Sequence, residues 1–83
     1  MKEFLYFSAT WCGPCRTLGP VMNELQREGY NIRKIDVDSD PNMASQYNVR
    51  NIPTVVLIKN GQEVARQVGN HPKDTYNNIW NNF

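Results

Sequence analysis

The chain has 83 residues, a formal net charge of +1, 40% hydrophobic residues and 20% charged ones. That length leaves room for one domain over residues 1–83, with a modest core and a thin margin of stability. The near-neutral charge, with no Lys/Arg cluster beyond Arg33-Lys34, argues against a nucleic-acid surface or a strongly acidic partner. The longest apolar run, Val55 to Ile58, is far too short to span a membrane. The opening residues lack the charged segment, apolar stretch and cleavage site of a secretory signal. The expected compartment is therefore the cytoplasm, which is reducing.

Lys2 to Phe7 is rich in Phe, Leu and Tyr and nearly continuous in its apolar character. That pattern predicts a strand buried on both faces, hence central and parallel. Ser8 to Trp11 reads as a short loop. Pro14 fits a first helical turn, where its missing N–H is no loss. Leu18, Val21, Met22 and Leu25 then recur at helical spacing, with a kink expected near Gly19-Pro20 and Gly29 closing the helix. Ile32 to Val37 predicts a second strand, with Ile35 and Val37 on one face and Lys34 and Asp36 on the other.

Asp40 is a good N-cap and Pro41 a good first residue for a short helix to about Tyr47, with Met43, Ala44 and Tyr47 inward. Ile52-Pro53-Thr54 leads into a third strand, Val55 to Lys59. Asn60-Gly61 is the strongest hairpin signal in the chain, and Gln62 to Val68 follows as the fourth strand, ended by Gly69. Tyr76, Ile79, Trp80 and Phe83 mark a last amphipathic helix and read as core. The order is βαβαββα. Strands alternating with helices imply a parallel crossover, and the hairpin adds an antiparallel strand at the far edge.

Cys12 and Cys15 are the only two cysteines. The loop they close is too short to remove much unfolded-state entropy, so a structural staple is a poor explanation. At a helix start, the first cysteine meets the orphan N–H groups and the positive end of the helix dipole, which favour an anion. A thiolate is such an anion, and it is the nucleophile of thiol–disulfide exchange. Cys15 falls one turn deeper on the same face, within reach of a mixed disulfide. Two plainer readings stand beside this one. The pair is half of a zinc site, for which His71 is the only other strong ligand, or it is chemically idle. Arg16 either adds positive charge near the thiolate or is an ordinary solvated arginine. His71 reads as the residue before Pro72 at a helix start rather than as a general base.

Trp11-Cys12-Gly13-Pro14-Cys15 matches the active-site motif of the thioredoxin family residue for residue, and the resemblance extends over nearly all of the chain. It implies an α/β, thioredoxin-like fold: a four-stranded mixed sheet with helices on both faces. Full-length thioredoxins carry a further strand and helix before this core, so the chain is expected to be a minimal version, close in size to a glutaredoxin. The implied activity is reduction of protein disulfides. The implied redox group is the Cys12–Cys15 disulfide, with no cofactor and no metal. Cys12 would be the attacking thiolate and Cys15 the resolving thiol. A flavin- and NADPH-dependent thioredoxin reductase would regenerate the dithiol.

From the residues alone, Pro53 is either an ordinary trans-proline opening a strand or a cis-proline. The resemblance implies cis, facing the disulfide, with the Ile52 backbone free to bond an extended substrate segment. Trp11, beside a nucleophile expected to be exposed, reads as a partly exposed platform rather than a core residue. With Gly13, Pro14 and the Val68-Gly69-Asn70 turn it completes the substrate surface that the resemblance implies.

Two departures stand out. Many thioredoxins carry a buried aspartate on the strand leading to the motif, where this chain has Tyr6; the lysine that accompanies it matches Lys34. Ser8 stands where an aromatic residue is common. A phenol titrating near 10 is a poor base at neutral pH, so deprotonation of Cys15 is expected to rely on solvent. Two rivals remain: a glutaredoxin-like enzyme recharged by glutathione, and a non-catalytic binding subunit with incidental cysteines. Gly13-Pro14 and Val68-Gly69-Asn70 weigh against the first. The second strand is expected at a sheet edge, where Arg33, Lys34, Asp36 and Asp38 discourage pairing with another chain, so a monomer is expected.

Overall fold

Seven elements follow one another in the computed structural model, which describes residues 1–83: β1 (Lys2–Ser8), α1 (Gly13–Arg27), β2 (Ile32–Asp36), α2 (Pro41–Gln46), β3 (Thr54–Lys59), β4 (Gln62–Val68) and α3 (Lys73–Asn82). The sheet order is β2-β1-β3-β4. β2 runs parallel to β1, in a register that pairs Phe4 with Ile32, Tyr6 with Lys34 and Ser8 with Asp36. β3 runs antiparallel to β1, and β4 antiparallel to β3.

β1 is central, and Phe4 to Phe7 are all buried, as the apolar run predicts. It is parallel to β2 and antiparallel to β3, so the expectation of a parallel strand holds for one neighbour only, within the expected mixed sheet. β2, being parallel to β1, leaves the sheet at the same end as β1, and the connection through α2 does not cross to the other end. β3 therefore enters at the end where β1 leaves, and Thr54 pairs with Phe7.

Alternation along β1 divides the core into two layers. Phe4 and Tyr6 face Leu18, Met22 and Leu25 of α1 and Tyr76 of α3. Leu5 and Phe7 face the opposite way, joining Ile35, Val56 and Ile58 under Met43 and Ala44 of α2. Helices thus lie on both faces, two on one and one on the other.

Local chemistry explains the boundaries. α1 continues through Pro20 as one helix and ends before Gly29, whose φ of 102° suits a residue without a side chain. Asp40 caps α2 by accepting a hydrogen bond from the Met43 N–H at 3.3 Å. Tyr47 falls just past that helix and packs on Phe7, ring centroids 6.1 Å apart. Asn60 and Gly61 both have positive φ, 52° and 84°, the pair that a tight two-residue hairpin demands.

At the last helix Tyr76 is fully buried, while Ile79 and Trp80 are half-buried against the core. Trp80 sits 5.1 Å from Phe4 and 5.0 Å from Tyr30, ring to ring. Phe83 does not join them. It is 46% exposed, because α3 ends at Asn82 and the next residue has left the helical face.

Candidate active site

The active-site loop is built where β1 meets α1. After Ser8 the chain turns, with the Cys12 N–H bonded to the Ala9 carbonyl at 3.2 Å, and Cys12 becomes the N-cap of α1. Its Sγ accepts a hydrogen bond from the Cys15 N–H at 3.2 Å. A sulfur therefore occupies the place where a serine or aspartate oxygen normally satisfies an orphan N–H, and negative charge on it is favoured there. Cys12 and Cys15 are joined by a disulfide, with Cα atoms 5.3 Å apart.

The cysteines are more enclosed than the expected exposed nucleophile: Cys12 is 4% and Cys15 5% accessible. They form a small apolar cluster with Ala9, against Val37 and Ile52. The exposed parts of the motif are Trp11, Gly13 and Pro14 around them, and Trp11 is 66% exposed. Its indole N–H donates to Asp38 Oδ2 at 2.7 Å, which ties the ring to the β2–α2 connection.

The loop before β3 meets the same cluster. Ile52 packs against the cysteines, and the Ile52–Pro53 bond is cis. Ile52 makes no backbone hydrogen bond, so its N–H and C=O are free to pair with another chain. The Pro53 carbonyl accepts from the Gly69 N–H at 2.8 Å, which joins this loop to the turn after β4. Val68 in that turn is 46% exposed, and Gly69 has a φ of 90°. Trp11, Gly13 and Pro14 thus lie in the motif itself, Ile52 and the buried Pro53 on the loop beside the cysteines, and Val68 and Gly69 in the turn bonded to that loop. His71 belongs to the same turn: its Nε2 is 2.9 Å from the Val68 carbonyl oxygen and 2.8 Å from Gln67 Nε2.

Tyr6 lies beneath the pair, 4% exposed, and its hydroxyl donates to the Cys15 carbonyl at 3.0 Å. Burial pushes its phenol above the ordinary tyrosine range, against the smaller opposing effect of a hydrogen bond with Ser8. Lys34 is its register partner on β2, but the ammonium is turned away to donate to Asn23 Oδ1 on α1. Arg16 is exposed. No group of three or more His, Cys, Asp or Glu side chains converges on a point that could hold a metal ion. No helix is long and apolar enough to cross a membrane.

Sequence reasoning does not find the partners of these side chains. Asp38 and Asp36 read there only as edge charges, and Asn23 carries no signal at all. Each reaches the site through a contact between distant parts of the chain.

A thioredoxin family model matches residues 2–81. The chain belongs to the thioredoxin family. It is 49% identical over 71 residues to a thioredoxin of Chlamydia trachomatis, covering 83% of this chain and 70% of that protein. It is 48% identical over 75 residues to a thioredoxin of Staphylococcus aureus, covering 87% of this chain and 72% of the relative. Among solved structures, a point variant of a thioredoxin from Halobacterium salinarum superposes with a TM-score of 0.89 at 38% identity, covering 94% of this chain and 70% of that one. A thioredoxin from Fasciola hepatica gives a TM-score of 0.88 at 35% identity, covering 96% and 79% of the two chains. With its Cys12–Cys15 pair, this thioredoxin is a thiol–disulfide oxidoreductase that reduces protein disulfides.

Proposed function

We propose that residues 1–83 form a single reducing domain in which Cys12 attacks and Cys15 resolves. The observation that carries this assignment is the position of Cys12 Sγ at the N-cap of α1, where it accepts the Cys15 N–H. Cys12 as a thiolate attacks one sulfur of a substrate disulfide and expels the other as a thiolate. Cys15, once deprotonated, attacks Cys12 Sγ. The Cys12–substrate bond breaks, the second substrate sulfur leaves, and the Cys12–Cys15 disulfide forms. Two electrons pass to the substrate.

Trp11, Gly13 and Pro14 on one side, with Ile52, Val68 and Gly69 on the other, form the surface that receives the substrate, and the buried Pro53 holds the loop of Ile52 in place beneath it. An extended substrate segment pairs with the free backbone of Ile52, the way a strand is added to an open edge. The redox-active disulfide needs no separate cofactor. An NADPH-dependent thioredoxin reductase regenerates the dithiol in the cytoplasm, a reading that membership of the thioredoxin family supports.

The test is insulin reduction in two recharging systems. With NADPH and a thioredoxin reductase the protein turns over. With NADPH, glutathione and glutathione reductase it does not. Turnover only with glutathione would replace this reading with the glutaredoxin-like one, and no turnover even with dithiothreitol would leave a binding module.

A further inference from the structure

The resolving step needs a proton removed from a buried thiol. Cys15 is 5% exposed, the Tyr6 hydroxyl beside it is committed to the Cys15 carbonyl, and Lys34 is held on Asn23. None of these groups takes the proton. Beside Cys15, an open cavity of about 240 Å³ is lined by Tyr6, Ser8, Thr10, Cys15, Arg16, Gly19 and Asp36. It has room for several waters, each needing about 30 Å³, and its walls carry hydroxyls to bond them.

Asp36 is the only carboxylate among those walls. It is half-buried at the end of β2, paired in register with Ser8, and it shares the α1-facing side of the sheet with Lys34 and Ile32. Its Oδ1 is occupied, accepting from the Asp38 N–H at 2.9 Å and the Ser39 N–H at 3.3 Å. Its Oδ2 has no protein partner. One oxygen therefore fixes the carboxylate and the other is free to accept a proton.

We propose that Asp36 is the proton acceptor for Cys15, reached through water in this cavity. This rests on the reading of Cys15 as the resolving thiol. In the mixed disulfide, the Cys15 thiol gives its proton through water to Asp36. The resulting thiolate attacks Cys12 Sγ, the substrate sulfur leaves with the electron pair, and Asp36 later releases the proton to bulk solvent. A carboxylate outcompetes water as acceptor because it is much the stronger base. The charged and titratable groups around Asp36 are Tyr6 on β1, Cys15 and Arg16 on α1, Lys34 on β2, and Asp38 and Asp40 in the following turn.

Single-turnover reaction of the reduced protein with the disulfide of Ellman's reagent tests this, because attack by Cys12 and resolution by Cys15 each release one coloured thiolate. Asp36→Asn keeps the Oδ1 acceptor for the turn and removes the base. At neutral pH its first release should match wild type. Its second should slow on the order of tenfold to a hundredfold and recover as imidazole is added as an external base. Gly19→Leu provides a second route. A Cβ at Gly19 meets nothing within 4 Å, so a larger side chain there has room to enter the cavity and displace its water, and the second release should slow again. A wild-type second release in either variant would overturn the proposal, as would an Asp36→Asn defect that imidazole leaves unchanged. Loss of the first release would instead sink the assignment of Cys12 on which it rests.

Discussion

Tyr76 makes the stability of this thioredoxin depend on alkaline pH in a way that one substitution removes. Its ring is fully buried beneath α3, and its hydroxyl makes no hydrogen bond of good geometry, although the His71 backbone lies near enough to favour the ionised form slightly. Burial is the dominant effect, and it pushes the phenol up to about 12. In the unfolded chain a tyrosine ionises near 10. The native state thus holds its proton where the unfolded state has lost it. The stabilisation is fully present below pH 10 and disappears as pH rises from about 10 to about 12. A separation of two pH units is worth at most roughly 2.7 kcal/mol.

Tyr76→Phe removes the ionisation and the unpartnered hydroxyl together. The variant should match or exceed wild type by up to about 1 kcal/mol at neutral pH, since deleting an unpaired polar atom costs little. Its advantage should then grow by roughly 1–2 kcal/mol by about pH 11.5. Urea unfolding followed by Trp fluorescence at a series of pH values reads both quantities. Parallel pH profiles for the two proteins would refute the argument, and so would a loss above about 2 kcal/mol at neutral pH, which would mean a strong hydrogen bond at the hydroxyl.

Other consequences follow from the same packing. Leu18 is fully buried where α1 meets Phe4, Tyr6 and Tyr76, so Leu18→Ala should cost about 3 kcal/mol and lower Tm by about 12–20 °C in a calorimetric scan. A fall of only a few degrees would contradict the packing at that point. Asp40→Ala deletes the cap of α2 and should cost about 1 kcal/mol in urea unfolding, with no effect expected if the Met43 N–H is satisfied by water equally well. β2 is an edge strand with Arg33 and Lys34 exposed, so gel filtration should show a monomer; a tight dimer joined through β2 would overturn this.

The parts of the fold that are legible in the sequence are those whose cause is local. Asp40-Pro41 starts α2 because a carboxylate and a fixed φ suit a helix start, and Asn60-Gly61 turns because those residues tolerate positive φ. The cysteine spacing, with Pro14 between, is enough to put a sulfur at the start of α1, where Cys12 is the N-cap. What is not legible depends on which distant segments become neighbours. The antiparallel direction of β3 follows from a connection that returns to the end of the sheet it left, and the exposure of Phe83 from where α3 stops. At the site, the position of Tyr6 under the cysteines comes from the family resemblance. The diversion of Lys34 to Asn23, the anchoring of Trp11 by Asp38 and the arrival of Asp36 at the cavity beside Cys15 are all long-range pairings, and no periodicity announces them.

The central claim is that Cys12, and not Cys15, is the thiolate that meets substrate. A short pulse of iodoacetamide on the freshly reduced protein, followed by mass mapping of the two cysteines, tests it most directly. The account predicts that Cys12 is alkylated first across neutral pH, because its sulfur holds the N-cap of α1, with Cys15 labelled only slowly or after unfolding. Labelling of Cys15 at the same rate as Cys12, or faster, would contradict it.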